Sequence, residues 1–519
     1  MNKITIHKIA GEQTIPPELH GQFIEFLGGC ISDGIWVGRR SAIPNEGGVR
    51  LAVLDAMERL RPPLLRWPGG CYADMYHWRD GVGNRRKTVW NANFTTWEAE
   101  DNGFGTHEFL EFCRAVGAKP WININMLRGT VAEMVDWAEY CNRAGDTALA
   151  RERAANGSPE PFGVEYWGIG NECWGGGGTY TAQGYADDYR KYASAMPRFV
   201  GPGPDGRMAG PEMKLIASGP DGNKPRERVL WTRELLRELK RYRMPPIYGM
   251  DLHFYNWNRE DGGLREDQFD REGWYRVLFG SMELEEVLRE QAALMHEELD
   301  GYAPMDRDPF FVPPQLRLIV GEWGNWHGAA FRNAPSLYQQ CTMRDALTTA
   351  ISLDIFHRCS GIVSAACVAQ TVNVLNALIL TREEHTVLTP NYHVFEMYRP
   401  HRGGKVLPLE LETDTAWQDG DARVPELYVF ASEKDGTVTL NAVNACMEEA
   451  RTAQLTLPEP MRPVSARVLR GADVHDCNTP EAPDRVAPAD AAAPAGTDGR
   501  NWTLSLPAAS VSVYQFVRT

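Results

Sequence analysis

Two glutamates stand where an apolar run gives way to a loop. In Tyr166-Trp167-Gly168-Ile169-Gly170-Asn171-Glu172 a continuous apolar stretch, read as a buried strand, closes on an Asn-Glu pair and is followed by Cys173, Trp174 and four glycines at 175–178. The pattern returns in Leu318-Ile319-Val320-Gly321-Glu322-Trp323. In a parallel α/β barrel the residue just past a strand's C-terminal end lies at the mouth where barrel enzymes work. Two carboxyls placed there point to glycoside hydrolysis: one protonates the leaving oxygen, and the other attacks the anomeric carbon or activates water. A pair about 5–5.5 Å apart gives a covalent intermediate and one about 6.5–9.5 Å apart admits water. Spacing along the chain does not distinguish the two.

Other polar residues interrupt predicted strands in ways that would serve such a site. Glu25 breaks the run Gly21-Gln22-Phe23-Ile24-Glu25-Phe26-Leu27, and a buried carboxylate needs hydrogen bonds or a cation. It reads equally as a ligand for sugar hydroxyls or as half of a structural pair with an arginine. Arg66, before the sharp turn Pro68-Gly69-Gly70-Cys71, could hold a catalytic carboxylate ionised, or form an ordinary core ion pair. Asn123 and Asn125 fall on one side of a third strand, where an amide could meet a hydroxyl or cap a neighbouring helix. Alternation aims Asp251, His253 and Tyr255 one way, so His253 and Tyr255 can act together near a carboxylate. Trp67, Trp78, Trp90, Trp97, Trp174, Trp257, Trp323 and Trp326 suit a site that stacks sugar faces, although many of the chain's 16 tryptophans must pack core and rim.

The elements that would position these groups alternate. Strand patterns fall at 22–27, 64–67, 119–125, 165–171, 215–218, 249–254, 316–322 and 361–365, with helical patterns between them, including 47–61, 284–299 and 337–357. Eight such repeats predict an α/β fold, a (β/α)8 TIM barrel, with a doubly wound sheet as the alternative. After about residue 400 the period becomes strand-like, predicting an antiparallel β-sandwich or jelly roll, with 479–500 as an exposed loop. The division expected is 1–14, a strand joining the C-terminal sheet; 15–398, the barrel; and 399–519, the sandwich.

Composition narrows the partners. The 519 residues, 43% hydrophobic and 24% charged, describe a soluble globular chain, and a net charge of -15 argues against nucleic acid or an anionic membrane as partner. No segment is long and apolar enough to span a bilayer, and the N-terminus lacks a secretory h-region. Ten cysteines without a C-x-x-C pair read as free thiols in a reducing, cytoplasmic compartment.

Taken together these segments resemble the glycoside hydrolase family 51 α-L-arabinofuranosidases. The likeness rests on Gly21-Gln22-Phe23-Ile24-Glu25 through Trp36, Arg66-Trp67-Pro68-Gly69-Gly70, Trp167-Gly168-Ile169-Gly170-Asn171-Glu172, His253-Phe254-Tyr255, Gly321-Glu322-Trp323, and Leu337-Tyr338-Gln339-Gln340 through Asn391-Tyr392-His393-Val394-Phe395. The resemblance implies a retaining, exo-acting enzyme with Glu172 as acid/base and Glu322 as nucleophile. It implies that Glu25, Cys71, Asn125, Asn171, Tyr255 and Gln370 bind the furanose or support the carboxylates, with Arg66 and His253 behind them. It implies no metal or organic cofactor, arabino-oligosaccharides as substrate, and a homo-oligomer, a hexamer in many members. The chain departs from the family pattern at Phe26, Cys71 and 173–178, around the pocket rim. A β-xyloside or β-glucoside substrate on the same barrel is the alternative enzyme reading, and a non-hydrolytic sugar-binding protein the reading from another class.

Overall fold

The computed structural model describes residues 2–9, 11–93, 98–199, 201–202, 208–258, 264–304, 314–496 and 498–519. Trp97, among the tryptophans named above, lies outside them. A first strand, β1 (Asn2–Ile6), precedes the barrel strands β2 (Gly21–Phe23), β3 (Leu64–Trp67), β4 (Lys119–Ile124), β5 (Tyr166–Ile169), β6 (Lys214–Asp221), β7 (Gly249–Asn258), β8 (Arg317–His327) and β9 (Val363–Val368). β2 to β9 close in chain order into an eight-stranded barrel, and the pairings from β2 to β7 are parallel. The helices are α1 (Leu51–Leu60), α2 (Thr106–Val116), α3 (Val131–Asn142), α4 (Ala148–Ala155), α5 (Ala182–Ala195), α6 (Pro225–Leu239), α7 (Arg271–Leu299), α8 (Met343–Arg358) and α9 (Pro390–Tyr398).

Several boundaries move for local reasons. The first strand ends at Phe23, so Glu25 stands beyond it, although Ile24 still donates to the Arg66 carbonyl at 3.0 Å. The helix expected from 47 begins at Leu51, because residues 45–50 form a small hairpin in which Asn45 faces Arg50. The helix expected from 337 begins at Met343, where Thr342 and Asp345 close a capping box that satisfies the first free N–H groups. The helix expected over 284–299 starts earlier, at Arg271.

By contact the chain separates into two compact units. One comprises residues 21–254 and 289–322, and holds β2 to β6 with most of β7. The other comprises residues 1–20, 255–288 and 323–519, and holds the C-terminal strands β10 (Lys405–Val406), β11 (Leu409–Glu412), β12 (Leu427–Lys434), β13 (Thr437–Asn444), β14 (Arg451–Thr456), β15 (Met461–Leu469), β16 (Ala489–Asp490), β17 (Asn501–Leu506) and β18 (Ser510–Arg518). These form a six-stranded sheet, β10-β12-β13-β18-β15-β16, and a four-stranded sheet, β11-β1-β14-β17. Alternating inward residues fill the space between, among them Ile4, Ile6, Leu440, Leu455, Leu504 and Phe516. The sandwich is not wholly antiparallel: β1 runs antiparallel to β11 and parallel to β14. Nor is 479–500 entirely loop, since β16 pairs with β15.

Candidate active site

Strands β3, β7 and β8 and the turn after β5 bring one ionic network together; Glu322, expected where its strand ends, stands inside β8, which runs on to His327. Arg66, fully buried on β3, stacks its guanidinium 4.5 Å from the Phe23 ring and 5.3 Å from the Trp121 ring. This packing fixes a charge whose planar donors can then serve several acceptors. Nη1 donates to Glu322 Oε1 at 2.8 Å, and Nη2 donates to Asn171 Oδ1 at 2.5 Å. The second amide atom of Asn171, Nδ2, is buried without a hydrogen-bond partner among the described residues. Buried donors are rarely left so, and this one is therefore available to a ligand hydroxyl.

His253 on β7 joins the two glutamates. Its Nδ1 lies 2.9 Å from Glu172 Oε1 and 3.6 Å from Glu322 Oε2, while Nε2 lies 3.1 Å from Asp251 Oδ2. Asp251 also accepts the Gly321 N–H at 2.5 Å, and a Cβ at residue 321 would press into that carboxylate, which is why glycine precedes Glu322. Burial opposes charge on His253, but Glu322, Asp251 and Glu172 outweigh it and raise its pKa well above the usual value. The ring is an imidazolium at neutral pH, donating from both nitrogens. Burial also raises the Glu172 pKa, the His253 hydrogen bond opposes the rise, and the charge of Glu322 adds to it.

A turn presents Glu172. Its backbone is left-handed, with φ 42°, and its carbonyl accepts the N–H groups of Gly175 at 2.7 Å and Gly177 at 3.1 Å. Such a conformation costs roughly 1–3 kcal/mol in a non-glycine residue and persists where surrounding bonds dictate it. Cys71, on the turn after β3, points its thiol at Glu172 Oε2 across 3.8 Å. Burial and the charges of Glu172, Glu25, Glu322 and Asp74 raise its pKa well above the usual thiol value, so it stays protonated and donates. Glu25 accepts the Tyr72 N–H and the Asn93 amide, both at 2.9 Å.

Glu25, Arg66, Cys71, Asn171, Glu172, His253 and Glu322 are thus assembled in one place. Asn125 is used differently: its oxygen accepts the N–H groups of Arg128 at 2.8 Å and Gly129 at 2.9 Å, and its nitrogen donates to the Tyr76 carbonyl at 3.1 Å, clamping the loop after β4. Tyr255 continues β7 and meets Trp326 edge-on at 5.1 Å. Gln370, 2% exposed, follows β9 and donates its N–H to Val374 at 3.0 Å. Three participants carried no assigned role in the sequence reading: Asp251, Asp74 and Asn93. Asp251 shares the His253 face of its strand and could have been found that way. Asn93 lies in a loop with no periodic signal.

Among the described residues, Glu172, His253 and Glu322 offer ligand atoms that all lie within 4.8 Å of one another, close enough to surround a cation. The protonated His253 already supplies positive charge between the two carboxyls. Chemically, the arrangement offers a carboxylate fixed by an arginine, a second carboxyl whose protonated form is favoured, and unspent donors beside them.

Known proteins share this architecture. A family model described as alpha-L-arabinofuranosidase 1 domain matches residues 56–273, and one described as alpha-L-arabinofuranosidase C-terminal domain matches residues 321–510. The chain is 37% identical over 495 residues to an intracellular exo-alpha-L-arabinofuranosidase from Bacteroides ovatus, covering 94% of this chain and 90% of that one. It is similar in structure to the GH51 arabinofuranosidase from Xanthomonas axonopodis pv. citri, with TM-score 0.87, 32% identity, and 99% and 100% of the two chains covered. It is similar also to an alpha-L-arabinofuranosidase from Thermotoga maritima solved with arabinose, with TM-score 0.80, 27% identity and 99% of each chain covered. With matches of this identity and coverage over the sequence and the barrel alike, the chain belongs to the glycoside hydrolase family 51 α-L-arabinofuranosidases.

Proposed function

We propose that the enzyme is exo-acting and retaining, and releases terminal α-L-arabinofuranosyl units from arabino-oligosaccharides by double displacement. The observation that carries this reading is the closeness of the two glutamates: a carboxylate oxygen of Glu172 and one of Glu322 come within 4.8 Å of each other. That spacing is near the ~5–5.5 Å of a retaining pair and short of the roughly 6.5–9.5 Å that an inverting pair keeps to seat a water beside the sugar.

Glu322, kept ionised by Arg66, is the nucleophile. It attacks the anomeric carbon as Glu172, carrying its proton, donates to the departing glycosidic oxygen. The glycosyl ester then breaks when Glu172, now ionised and steadied by His253, takes a proton from water and that water attacks the same carbon. Two inversions give net retention. Asn171 Nδ2, the Cys71 thiol, Glu25, Tyr255 and Gln370 are the groups proposed to read the furanose hydroxyls, joined by the Asn125 amide hydrogen that its loop clamp leaves over.

An intracellular site of action draws support from the Bacteroides ovatus relative, an intracellular enzyme, and the substrate is a neutral carbohydrate. No helix among the described residues is long and apolar enough to cross a membrane. The division at residues 14/15 and 398/399, and assembly as a homo-oligomer with a hexamer as the expected state, belong to the same proposal and are tested by expressing 15–398 alone and by sedimentation. The reaction itself is tested with p-nitrophenyl α-L-arabinofuranoside beside the xyloside and glucoside, following the first-formed anomer by NMR. Retained configuration with preference for the arabinofuranoside is expected. Inversion, or faster release from another glycoside, would overturn the mechanism or the substrate respectively.

A further inference from the structure

Asp74 is a carboxyl for which double displacement has no use. It lies in the single turn Cys71–Met75 after β3 and is 2% exposed. Oδ1 accepts the Met126 N–H at 3.3 Å, and Oδ2 has no hydrogen-bond partner among the described residues. Burial pushes the group up to about 8, against the pull of the Met126 and Leu127 N–H groups, so it is un-ionised at neutral pH. Its unpartnered oxygen faces the turn that carries Glu172. A Cβ on Gly177 would overlap the Asn171 carbonyl and come 3.0 Å from Asp74 Oδ2, while one on Gly176 would come 3.0 Å from Cys71 Sγ. Gly177 is held to glycine by the Asn171 carbonyl of its own turn, and the Asp74 and Cys71 side chains lie against the same turn at close contact distance. The turn is also closed on itself through the Glu172 carbonyl and through Tyr180, which donates to the Cys173 carbonyl at 2.7 Å.

We propose that Asp74 is a positioning residue for Glu172: it braces the 175–178 turn against the end of β4, making this glycine run a fixed strut that sets the acid/base carboxyl rather than a lid. A neutral carboxyl can face the Asn171 carbonyl and the turn without repulsion. A carboxylate there would be a buried, half-satisfied anion beside Glu172. The charged and titratable groups around Asp74 are Glu172 and Cys173 from the turn, Cys71 from its own segment, Arg66 from β3 and Tyr192 from α5. Arg66 and the Met126 and Leu127 N–H groups oppose the repulsion, and Arg66 is already committed to Glu322 and Asn171. The proposal rests on Glu172 being the acid/base.

The test compares kcat/KM for aryl α-L-arabinofuranosides with a poor leaving group (phenyl) and a good one (2,4-dinitrophenyl), in wild type, Glu172→Ala, Asp74→Ala and Asp74→Asn. Proton donation matters only for the poor leaving group, so Asp74→Ala should lose roughly 10²-fold on phenyl and under about tenfold on dinitrophenyl, with Asp74→Asn restoring most of the loss. Equal loss on both substrates, or no rescue by asparagine, would overturn the proposal. If Glu172→Ala shows no leaving-group dependence, the acid/base reading fails and the proposal with it. If that dependence is present and only the Asp74 pattern is missing, the proposal alone fails. Should Asp74→Ala not fold, Asp74→Asn decides. Because the folded-state value lies above the unfolded one, wild type should lose stability relative to Asp74→Asn as pH rises from 5 to 9, and a constant Tm difference would overturn the proposal.

Discussion

His253 Nδ1 sits 2.9 Å from Glu172 Oε1, and the same ring is held from behind by Asp251 at 3.1 Å. The imidazolium therefore lowers the proton affinity of Glu172, against the burial that raises it. Replacing His253 by phenylalanine removes that opposition. The basic limb of kcat/KM, which in the proposed mechanism reports loss of the Glu172 proton, should move to higher pH while the rate falls. An unmoved limb in a folded variant would show that His253 does not tune the acid/base.

The two carboxyls should fail differently. Glu322→Ala is expected to abolish turnover of every substrate, since no glycosyl ester can form. Glu172→Ala should lose about 10²–10⁴-fold on substrates with poor leaving groups, less on activated aryl glycosides, and regain turnover of the latter with azide, giving the α-configured glycosyl azide. Wild-type rates in either variant would remove its assignment.

Arg66 is fully buried against Phe23 and Trp121, and its fork holds both Glu322 and Asn171. Arg66→Met leaves Glu322 as a buried carboxylate without its cation, a change that costs about 3–5 kcal/mol. Chemical denaturation should show that loss, and kcat should collapse with it. Arg66→Lys keeps a charge but not the fork, and should recover stability more than activity.

Gly321→Ala is a finer probe of the same network. Its added methyl meets the Asp251 carboxylate, so Asp251 must leave His253 or the strand must shift. Overpacking of this kind costs about 1–3 kcal/mol. The expected signature in steady-state kinetics is a lower kcat with KM nearly unchanged, because the displaced group holds His253, which contacts the proposed acid/base.

Away from the site, His20, His357 and His401 are buried together, with His20 Nε2 2.9 Å from His357 Nε2. Burial lowers all three, with neighbouring Arg402 and the other histidines adding to the effect for His20 and His357, and His401 falls to about 4. The unfolded chain takes up these protons near 6.5, so stability is full above that pH and lost as pH falls toward 4. His401 alone should account for about 3 kcal/mol of the loss. Thermal unfolding at pH 7.5 and 4.5 should show a smaller drop in His401→Gln than in wild type. An equal drop would dissociate acid sensitivity from this cluster.

The two glutamates proposed as the catalytic pair stand out in the sequence because an apolar run that meets a carboxylate has few structural uses. The same logic marked Arg66 and His253, and the eight-fold strand and helix alternation predicted the barrel that all of them needed. The resemblance to a known family added Gln370, whose segment carries no periodic signal. Tertiary structure alone decided the partners. Glu25 rests on Tyr72 and Asn93, Asn125 is occupied in clamping its own loop, and β1 runs parallel to β14 within an otherwise antiparallel sandwich. Asp251 became the support of His253, and Asp74 a buried acid beneath the glycine turn, only once strands far apart in the chain were closed into a ring. Periodicity records which side of an element is buried. It does not record which distant groups share that burial, and the protonation states on which the chemistry depends come from those neighbours.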